Sequence, residues 1–360
     1  MKIAAPRTGR GHRFMLASAG AVVGLSVVGR MARRLPGRPF EPDDELLGSV
    51  RGVPGTVRGP KAARIATETI EGRGGTLVFT HGWCLTEAVW HHQQKDALGG
   101  HPWSVVTWDL PGHGRPTGVG PGQLSLDLAV ESLARVVDRA TTGPVILVGH
   151  SLGGVLTLRY LGTHPETARQ RVRGAIVAST PRMHFAGSVA GRWPGATLES
   201  RALGSLMELM VSSSRVDRMF AAEAGTAETT TLSYRVVRTG FGRDASPAQV
   251  RFVRDLIASV PPSVRLDTYR AMTGYDLSAG LGSITVPVTV MLGTRDRLVD
   301  PAETRTIARL LPRSTLVEFQ GAGHATMLER SDAFSAEVAA FAKRRLRVRP
   351  SRTARKGGER

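Results

Sequence analysis

The chain has 360 residues, and its 48 Lys and Arg against 30 Asp and Glu give a formal net charge of +18. The excess lies at the two ends: residues 1–40 and 341–360 carry +8 each, which leaves +2 for the 300 residues between them. A nearly neutral body argues against a nucleic-acid partner, which would need a basic stripe. The single cysteine, Cys84, excludes an intramolecular disulfide and a cysteine-based zinc site.

The basic N-terminal arm, residues 1–40, contains an uncharged apolar segment at 14–29 with arginines on both sides. The segment is longer than a secretory h-region and shorter than an ordinary membrane-spanning helix, and no clear cleavage site follows it. We expect a membrane anchor, and hence a membrane-associated protein whose side of the membrane is undetermined. A cleaved signal, or a cytoplasmic chain with this segment docked on the body, stays open.

Residues 41–64 are rich in Gly and Pro and are predicted to form a linker that leads into the first strands. At the other end, residues 344–360 are predicted to form a basic disordered tail. Both basic arms would attract an anionic membrane surface, and a solubilising role for the tail is the alternative.

The body, residues 65–182 and 273–343, alternates short apolar runs with helical patterns. Such alternation predicts an α/β fold with a doubly wound, mostly parallel sheet, in which ligands bind at the carboxyl ends of the strands. The predicted strands are Thr76–Thr80, Trp103–Trp108, Pro144–Val148, Ala175–Ala178, Val286–Leu292 and Thr315–Phe319. The predicted helices of the body are Ser125–Ala140, Leu152–Leu161 and Thr304–Leu311.

An insertion at 183–272 interrupts this alternation, and we predict that it is a helical cap. Helical patterns occur at Leu203–Val211, Ser246–Ser259 and Val264–Met272. The insertion concentrates large apolar side chains, which either line an apolar pocket or form the core of the cap itself. These side chains are Met183, Phe185, Trp193, Met207, Met210, Met219, Phe220, Phe241 and Phe252.

The sharpest motif is Gly149-His150-Ser151-Leu152-Gly153, which follows a predicted strand and precedes a predicted helix. In this context a G-x-S-x-G pentapeptide forms a tight turn that presents its serine as a nucleophile. The backbone N–H of Leu152, at the start of the helix, is then a candidate oxyanion donor. We expect the His150 side chain to point away from Ser151.

A serine nucleophile needs a base and a carboxylate that orients the base. His324 lies in a Gly-rich turn after the last predicted strand and is the candidate base. Asp296 directly follows an earlier strand and is the candidate acid, with Asp300 as the alternative. The order Ser, Asp, His along the chain is the one that this fold uses.

The loop after the first predicted strand, His81-Gly82-Trp83, is predicted to supply the second oxyanion donor through the backbone N–H of Trp83. Cys84 next to it is interpreted as a small buried residue rather than a nucleophile. We expect a structural role for His113, with a place at the mouth of the site as the alternative.

Together the motifs around Gly82, Asp109–Gly114, Ser151, Asp296 and His324 resemble those of the α/β-hydrolase superfamily. The resemblance covers residues 65–343 and is closest to the capped branch that contains esterases, epoxide hydrolases and haloperoxidase-like enzymes. Ser151 stands where the epoxide hydrolases and haloalkane dehalogenases have Asp, which argues against those two reactions.

The resemblance implies a serine hydrolase that acts without a cofactor or a metal on a small hydrophobic ester through an acyl-enzyme. The same triad serves C–C bond hydrolases, lactonases and cofactor-free perhydrolases, and the fold also serves non-catalytic ligand receptors. Substrate profiling separates the first three, and labelling of Ser151 by a fluorophosphonate separates an enzyme from a receptor.

Overall fold

Eight strands form one mostly parallel sheet in the computed structural model, which describes residues 46–115, 118–120, 122–183 and 213–346. Their order across the sheet is β1-β2-β4-β3-β5-β6-β7-β8. β1 and β2 pair with each other antiparallel, β2 pairs antiparallel with β4, and the remaining pairs are parallel. The strands are β1 Val53–Arg58, β2 Arg64–Ile70, β3 Thr76–Thr80, β4 Ser104–Trp108, β5 Val145–His150, β6 Val172–Ala178, β7 Val288–Gly293 and β8 Ser314–Phe319.

The six predicted strands are confirmed as β3 to β8, with ends that differ by up to three residues. The apolar runs of β3 to β7 reflect burial on both faces of the sheet, whereas β8 is an edge strand in which only Phe319 is buried. Along β5, Leu147 packs in one buried apolar cluster, whereas Ile146 and Val148 pack in the other. The alternation follows the two-residue period of a strand, so the sheet separates two cores.

The predicted linker at 41–64 is wrong beyond residue 52, because β1 lies within it and β2 begins at Arg64. Pro54 and Gly55, which suggested a loop, are accommodated because β1 is an edge strand with five of its six residues exposed. An edge strand forms sheet hydrogen bonds on one side only, so an edge strand tolerates a proline, which has no backbone N–H.

Twelve α-helices occur in the described residues. Eight belong to the α/β body: α1 His91–Leu98, α2 Leu126–Arg139, α3 Leu152–Thr163, α4 Pro165–Arg171, α9 Ser278–Leu281, α10 Pro301–Leu310, α11 Thr326–Glu329 and α12 Ser331–Arg345. The three helices predicted for the body are thereby confirmed as α2, α3 and α10. The start of α2 is fixed by the hydroxyl of Ser125, which accepts a 3.0 Å hydrogen bond from the Leu128 N–H.

Four further helices lie between β6 and β7, in the predicted cap, and we call them the cap helices: α5 Ser214–Glu223, α6 Leu232–Arg238, α7 Pro247–Ser259 and α8 Pro262–Ala271. The helices predicted at Ser246–Ser259 and Val264–Met272 are confirmed as α7 and α8. α7 begins with a capping box in which Ser246 and Gln249 bond each other's backbone N–H groups. The helix predicted at Leu203–Val211 lies outside the described residues, as do Phe185, Trp193, Met207 and Met210.

Both arms fall mainly outside the described residues, including the apolar segment at 14–29. Among the residues that are described, no helix has the length and apolar character to cross a membrane. The predicted tail is wrong at its start, because Arg344 and Arg345 belong to α12. Basic side chains suit this position, since the C-terminal end of a helix carries partial negative charge.

We predict that Gly154→Ala, near the start of α3, destabilises the fold by about 1–3 kcal/mol through overpacking. A Cβ at Gly154 would collide with the hydroxyl of the buried Thr180. Gly162→Ala in the same helix is the control, because open space surrounds Gly162. It should leave stability unchanged or raise it by up to about 1 kcal/mol. Denaturant unfolding of both variants measures the difference, and equal effects would contradict the prediction.

Candidate active site

Ser151 lies between β5 and α3, at the carboxyl edge of the sheet, in a backbone conformation that is rare for any residue with a side chain. Its φ is 52° and its ψ is −115°. The turn is held by a 2.8 Å hydrogen bond from the Ser151 N–H to the carbonyl of Ala178 at the end of β6. Strain of this kind costs of order 1–3 kcal/mol and persists only where the surroundings enforce it.

The surroundings enforce it by close backbone packing on both sides of Ser151. A Cβ on Gly149 would collide with the carbonyl oxygen of Gly153, and a Cβ on Gly153 would collide with the carbonyl oxygen of Thr80 in β3. Glycine at both positions therefore lets the first turn of α3 rest directly on the strand ends. Leu152, the first residue of α3, is buried there, and its backbone N–H is one of the helix's unsatisfied N-terminal donors.

The structure places Asp296 against His324. The carboxylate oxygen Oδ2 of Asp296 lies 2.8 Å from Nδ1 of His324. The other carboxylate oxygen accepts hydrogen bonds of 2.9 Å from the N–H groups of Leu298 and Val299. Asp296 is 1% exposed, so its orientation is fixed. With Nδ1–H donated to the carboxylate, Nε2 of His324 is left as the basic nitrogen.

The alternative acid, Asp300, has a different place in the fold. It is the N-cap of α10, and its carboxylate accepts a 2.9 Å hydrogen bond from the Ala302 N–H. Asp and Asn are preferred N-caps, so helix capping accounts for this residue.

The loop that carries His324 is bonded to the segment between α6 and α7. The His324 N–H donates to the Gly240 carbonyl at 2.7 Å. The buried carboxylate of Glu329 accepts from the N–H groups of Gly242, at 2.7 Å, and Gly323, at 3.0 Å. Burial raises the pKa of Glu329, and the two N–H donors oppose that rise. The segment between α6 and α7 and the loop that carries His324 are therefore joined by a main-chain hydrogen bond and by the Glu329 carboxylate.

His81 orients the peptide whose N–H is the predicted oxyanion donor. Its Nε2 accepts a 3.0 Å bond from the Leu110 N–H, so Nδ1 carries the proton and donates to the Gly82 carbonyl at 2.8 Å. That carbonyl belongs to the same planar peptide as the Trp83 N–H, and the two point in opposite directions. Burial lowers the pKa of His81 to about 4, which keeps this donor neutral.

The expected orientation of His150 is wrong. Its side chain lines the same cavity as Ser151, and its ring centroid lies 4.7 Å from that of His324. The alternation of side chains along β5 suggested that the residue before Ser151 points to the other face. The sharp turn at Ser151 ends that alternation, so the strand pattern no longer applies there.

Cys84 is buried, and burial raises the pKa of its thiol. This agrees with the interpretation that it is not a nucleophile.

His113 is buried, outside the cavity that Ser151 lines, and its Nδ1 donates to the Pro111 carbonyl at 3.3 Å. Burial, with the nearby His81 second, lowers the pKa of His113 to about 3. The expectation of a structural role fits this position.

The predicted site residues that face one cavity are Ser151, His324, Trp83 and Leu152. The cavity has a volume of about 220 Å³. Its wall is mainly apolar and includes cap side chains as well as body residues: Leu85, Val216, Phe220, Val236, Val237, Phe241, Val253, Ile257, Met272, Leu298 and Met327. Within the described residues there is no group of three His, Cys, Asp or Glu side chains placed to hold a metal.

Trp83 joins the predicted oxyanion loop to the cap helices. Its indole Nε1–H donates a 3.0 Å hydrogen bond to the carbonyl of Arg265 in α8, and its ring lies 5.7 Å from that of Tyr269. The Arg265 side chain is 6% exposed and paired with Asp217 of α5. The Trp83 side chain is therefore a fixed wall of the cavity.

The lowered pKa of His113 gives a testable pH dependence. An unfolded His113 takes up its proton near pH 6.5, whereas the folded one stays neutral to about pH 3. Between these values the unfolded state binds the extra proton, so stability falls as the pH is lowered. His113 lowers the free energy of unfolding by about 1.4 kcal/mol at most for each unit by which the pH falls in this range.

We predict that wild type loses stability faster than His113→Asn as the pH falls from 7 to 5. Asparagine keeps an N–H donor but does not titrate, so the variant lacks the contribution of this one proton. Chemical denaturation at several pH values gives the two curves. Parallel curves would show that His113 does not stay neutral in the fold.

Comparison with known proteins places the chain in a family. Residues 77–337 match the model of the alpha/beta hydrolase family. The chain is 28% identical over 316 residues to the polyketide synthase ThaQ of Burkholderia thailandensis, which covers 86% of this chain but 13% of that protein. It is 27% identical over 280 residues to the pimeloyl-[acyl-carrier protein] methyl ester esterase of Vibrio atlanticus, covering 76% of this chain and 97% of that one.

The fold is also similar to a solved esterase from Exiguobacterium antarcticum, with a TM-score of 0.66 and 19% identity over 80% of this chain and 98% of that one. Since the family model matches most of the residues from β3 to α12, the chain belongs to the alpha/beta hydrolase family.

Proposed function

We propose that this chain is a serine hydrolase that cleaves an ester-type bond of a small hydrophobic substrate through an acyl-enzyme. The observation that carries the proposal is the strained Ser151, which faces the same cavity as His324 in its pair with Asp296. A nucleophile, a base and an orienting carboxylate are the parts that acyl transfer requires.

In the first half of the reaction, Nε2 of His324 takes the hydroxyl proton of Ser151 as its oxygen attacks the ester carbonyl carbon. Asp296 holds the imidazole in the right tautomer and stabilises the imidazolium that forms. The tetrahedral intermediate collapses when the C–O bond to the alcohol breaks and His324 returns the proton to the leaving oxygen. The acyl group is then bonded to Ser151.

Charge on the carbonyl oxygen is stabilised by the backbone N–H groups of Trp83 and Leu152. One such donor contributes about 3 kcal/mol to transition-state stabilisation. The bond from His81 to the Gly82 carbonyl supports the role of Trp83, because it fixes the peptide that carries this N–H. The place of Leu152 at the first turn of α3 supports its role in the same way.

In the second half, water replaces the alcohol. His324 takes a proton from the water, whose oxygen attacks the acyl carbon, and the C–O bond to Ser151 breaks as the serine recovers its proton. The products are a carboxylic acid and a free enzyme, so no cofactor is consumed. The methyl ester named for the Vibrio atlanticus relative supports an ester as the substrate.

The substrate side of the proposal depends on the wall of the cavity. Apolar side chains from α5, α6 and α7 surround the space beyond Ser151. Burying the aliphatic part of an acyl group there releases about 0.8 kcal/mol per methylene. We therefore propose a hydrophobic acyl chain as the part of the substrate that the cap helices recognise.

Association with an anionic membrane surface is a separate part of the proposal. It rests on the charge of +8 at each end of the chain and on the apolar segment at 14–29. Basic residues near an anionic surface contribute about 1 kcal/mol each to binding.

We predict that Ser151→Ala lowers the turnover of short-chain nitrophenyl esters by several orders of magnitude and leaves folding intact. Removing the hydroxyl removes the nucleophile of the covalent step and adds no atom that could disturb the packing. Rates are measured by nitrophenol release, and mass spectrometry locates a fluorophosphonate label.

Ser179→Ala is the control for that variant. Ser179 also has a positive φ, of 48°, and is buried at the end of β6, but it does not line the cavity. It should keep most of the activity. Equal hydrolysis by Ser151→Ala and wild type, or a label on a residue other than Ser151, would refute the proposed nucleophile.

We further predict that Phe220→Ala shifts the preference toward longer acyl chains. Phe220 lines the cavity from α5, and shortening it extends the space for the acyl group. Each additional methylene that the enlarged cavity accommodates changes the free energy of transition-state binding by about 1–3 kcal/mol. The ratio of kcat/KM for octanoyl to that for butyryl esters should therefore rise about tenfold or more.

Phe252→Ala in α7 is the matched control, because Phe252 is partly buried against the same apolar cluster as Phe220 but does not line the cavity. It should lower the melting temperature and leave the chain-length preference as in wild type. An ester series from acetyl to palmitoyl measures both variants. The same preference in Phe220→Ala and wild type would place the acyl group elsewhere.

A further inference from the structure

His150 lies beside Ser151 and His324 but has no part in the proposed reaction steps. The residue is 1% exposed and is the last residue of β5, directly before Ser151. Its Nε2 is 3.0 Å from the backbone carbonyl oxygen of His324. A carbonyl oxygen only accepts hydrogen bonds, so Nε2 carries the proton and donates it.

The other edge of the ring faces the predicted oxyanion loop. A Cβ built on Gly82 would lie 3.0 Å from Nδ1 of His150 and 3.2 Å from Cβ of Ser151. Nδ1 is buried and has no hydrogen-bond partner among the described residues. A single imidazole therefore fills the space between the loop that carries the base and the loop that carries the oxyanion donor.

The ring is held in its neutral form. Burial, and then the nearby His324, lower the pKa of His150 well below its ordinary value. The groups that face it are the His324 ring at 4.7 Å, the His324 carbonyl and, further off, the ring of His81. A second positive charge here would oppose the imidazolium that His324 forms during the reaction, so the site favours a neutral neighbour.

We propose that His150 is a positioning residue, which sets the placement of His324 relative to Ser151 and to the oxyanion donor at Trp83. It does so by bonding the His324 carbonyl through Nε2–H and by packing its opposite edge on Gly82. The inference rests on the proposed function, because it concerns the geometry of the proposed triad. Small displacements of a base cost large factors in rate.

Two variants of the full chain separate this role from simple filling of space. His150→Phe keeps a planar ring and removes the donor. His150→Gln keeps an N–H donor at nearly the reach of Nε2. In His150→Phe we expect kcat to fall about tenfold or more with KM within about twofold of wild type. In His150→Gln we expect kcat to recover to within about threefold of wild type.

A second measurement does not depend on turnover. The proton on Nδ1 of His324, which is bonded to Asp296, should give a strongly downfield signal in the proton NMR spectrum. The signal is assigned by its absence from the spectrum of His324→Gln. We expect the signal in wild type and His150→Gln and its weakening or loss in His150→Phe. Should His150→Phe not fold, His150→Asn replaces it with the same expectations, because its shorter amide does not reach the His324 carbonyl.

The proposal is overturned if His150→Phe keeps the kcat and the downfield signal of wild type, or if His150→Gln is as impaired as His150→Phe. In either case the hydrogen bond to His324 would carry no catalytic benefit. Failure of the proposed function looks different: wild type itself would hydrolyse no ester and would take up no fluorophosphonate. The downfield signal in the two variants would then still decide the role of His150.

Discussion

The close contact between the first turn of α3 and the ends of the central strands is the constraint on which the site depends. Gly149 and Gly153 allow it, because a side chain at either position would meet backbone oxygen atoms. The contact forces Ser151 into its strained conformation and brings the start of a helix to the edge of the sheet. One packing requirement thus sets both the direction of the serine and the direction of the Leu152 N–H.

The histidines near Ser151 differ in their hydrogen-bond partners, and the proposed site depends on this difference. His81 and His150 are buried and held neutral, and each bonds a backbone carbonyl next to a reacting group. His324, whose side chain is 14% exposed, pairs instead with a carboxylate. A buried neutral imidazole bonded to a backbone carbonyl is a fixed hydrogen-bonding group, whereas the pairing of His324 with an acid suits the proton transfer proposed for it.

The sequence sufficed for much of the fold, because strands buried on two faces must be apolar and the runs of β3 to β7 have this character. It failed at β1, where an exposed edge strand tolerates Pro54 and Gly55. At the site, motif spacing pointed to Ser151, His324 and Asp296, with Asp300 as the alternative acid. In the structure Asp296 contacts His324, and Asp300 caps α10. The inward ring of His150 could not be foreseen, since it depends on a turn rather than on strand periodicity. Likewise, which apolar cap residues face the cavity is decided by how the helices pack.

The hydrogen bonds that the His324 N–H donates to Gly240, and that Gly242 and Gly323 donate to Glu329, have a consequence for access to the cavity. A lid moves about a hinge, and the segment after α6 is bonded to the same backbone that carries His324, the proposed base. Motion about that point would break the bond to Gly240 and disturb the loop that holds His324 against Asp296. If the predicted cap opens to admit a substrate of the proposed enzyme, we therefore expect it to open at another point.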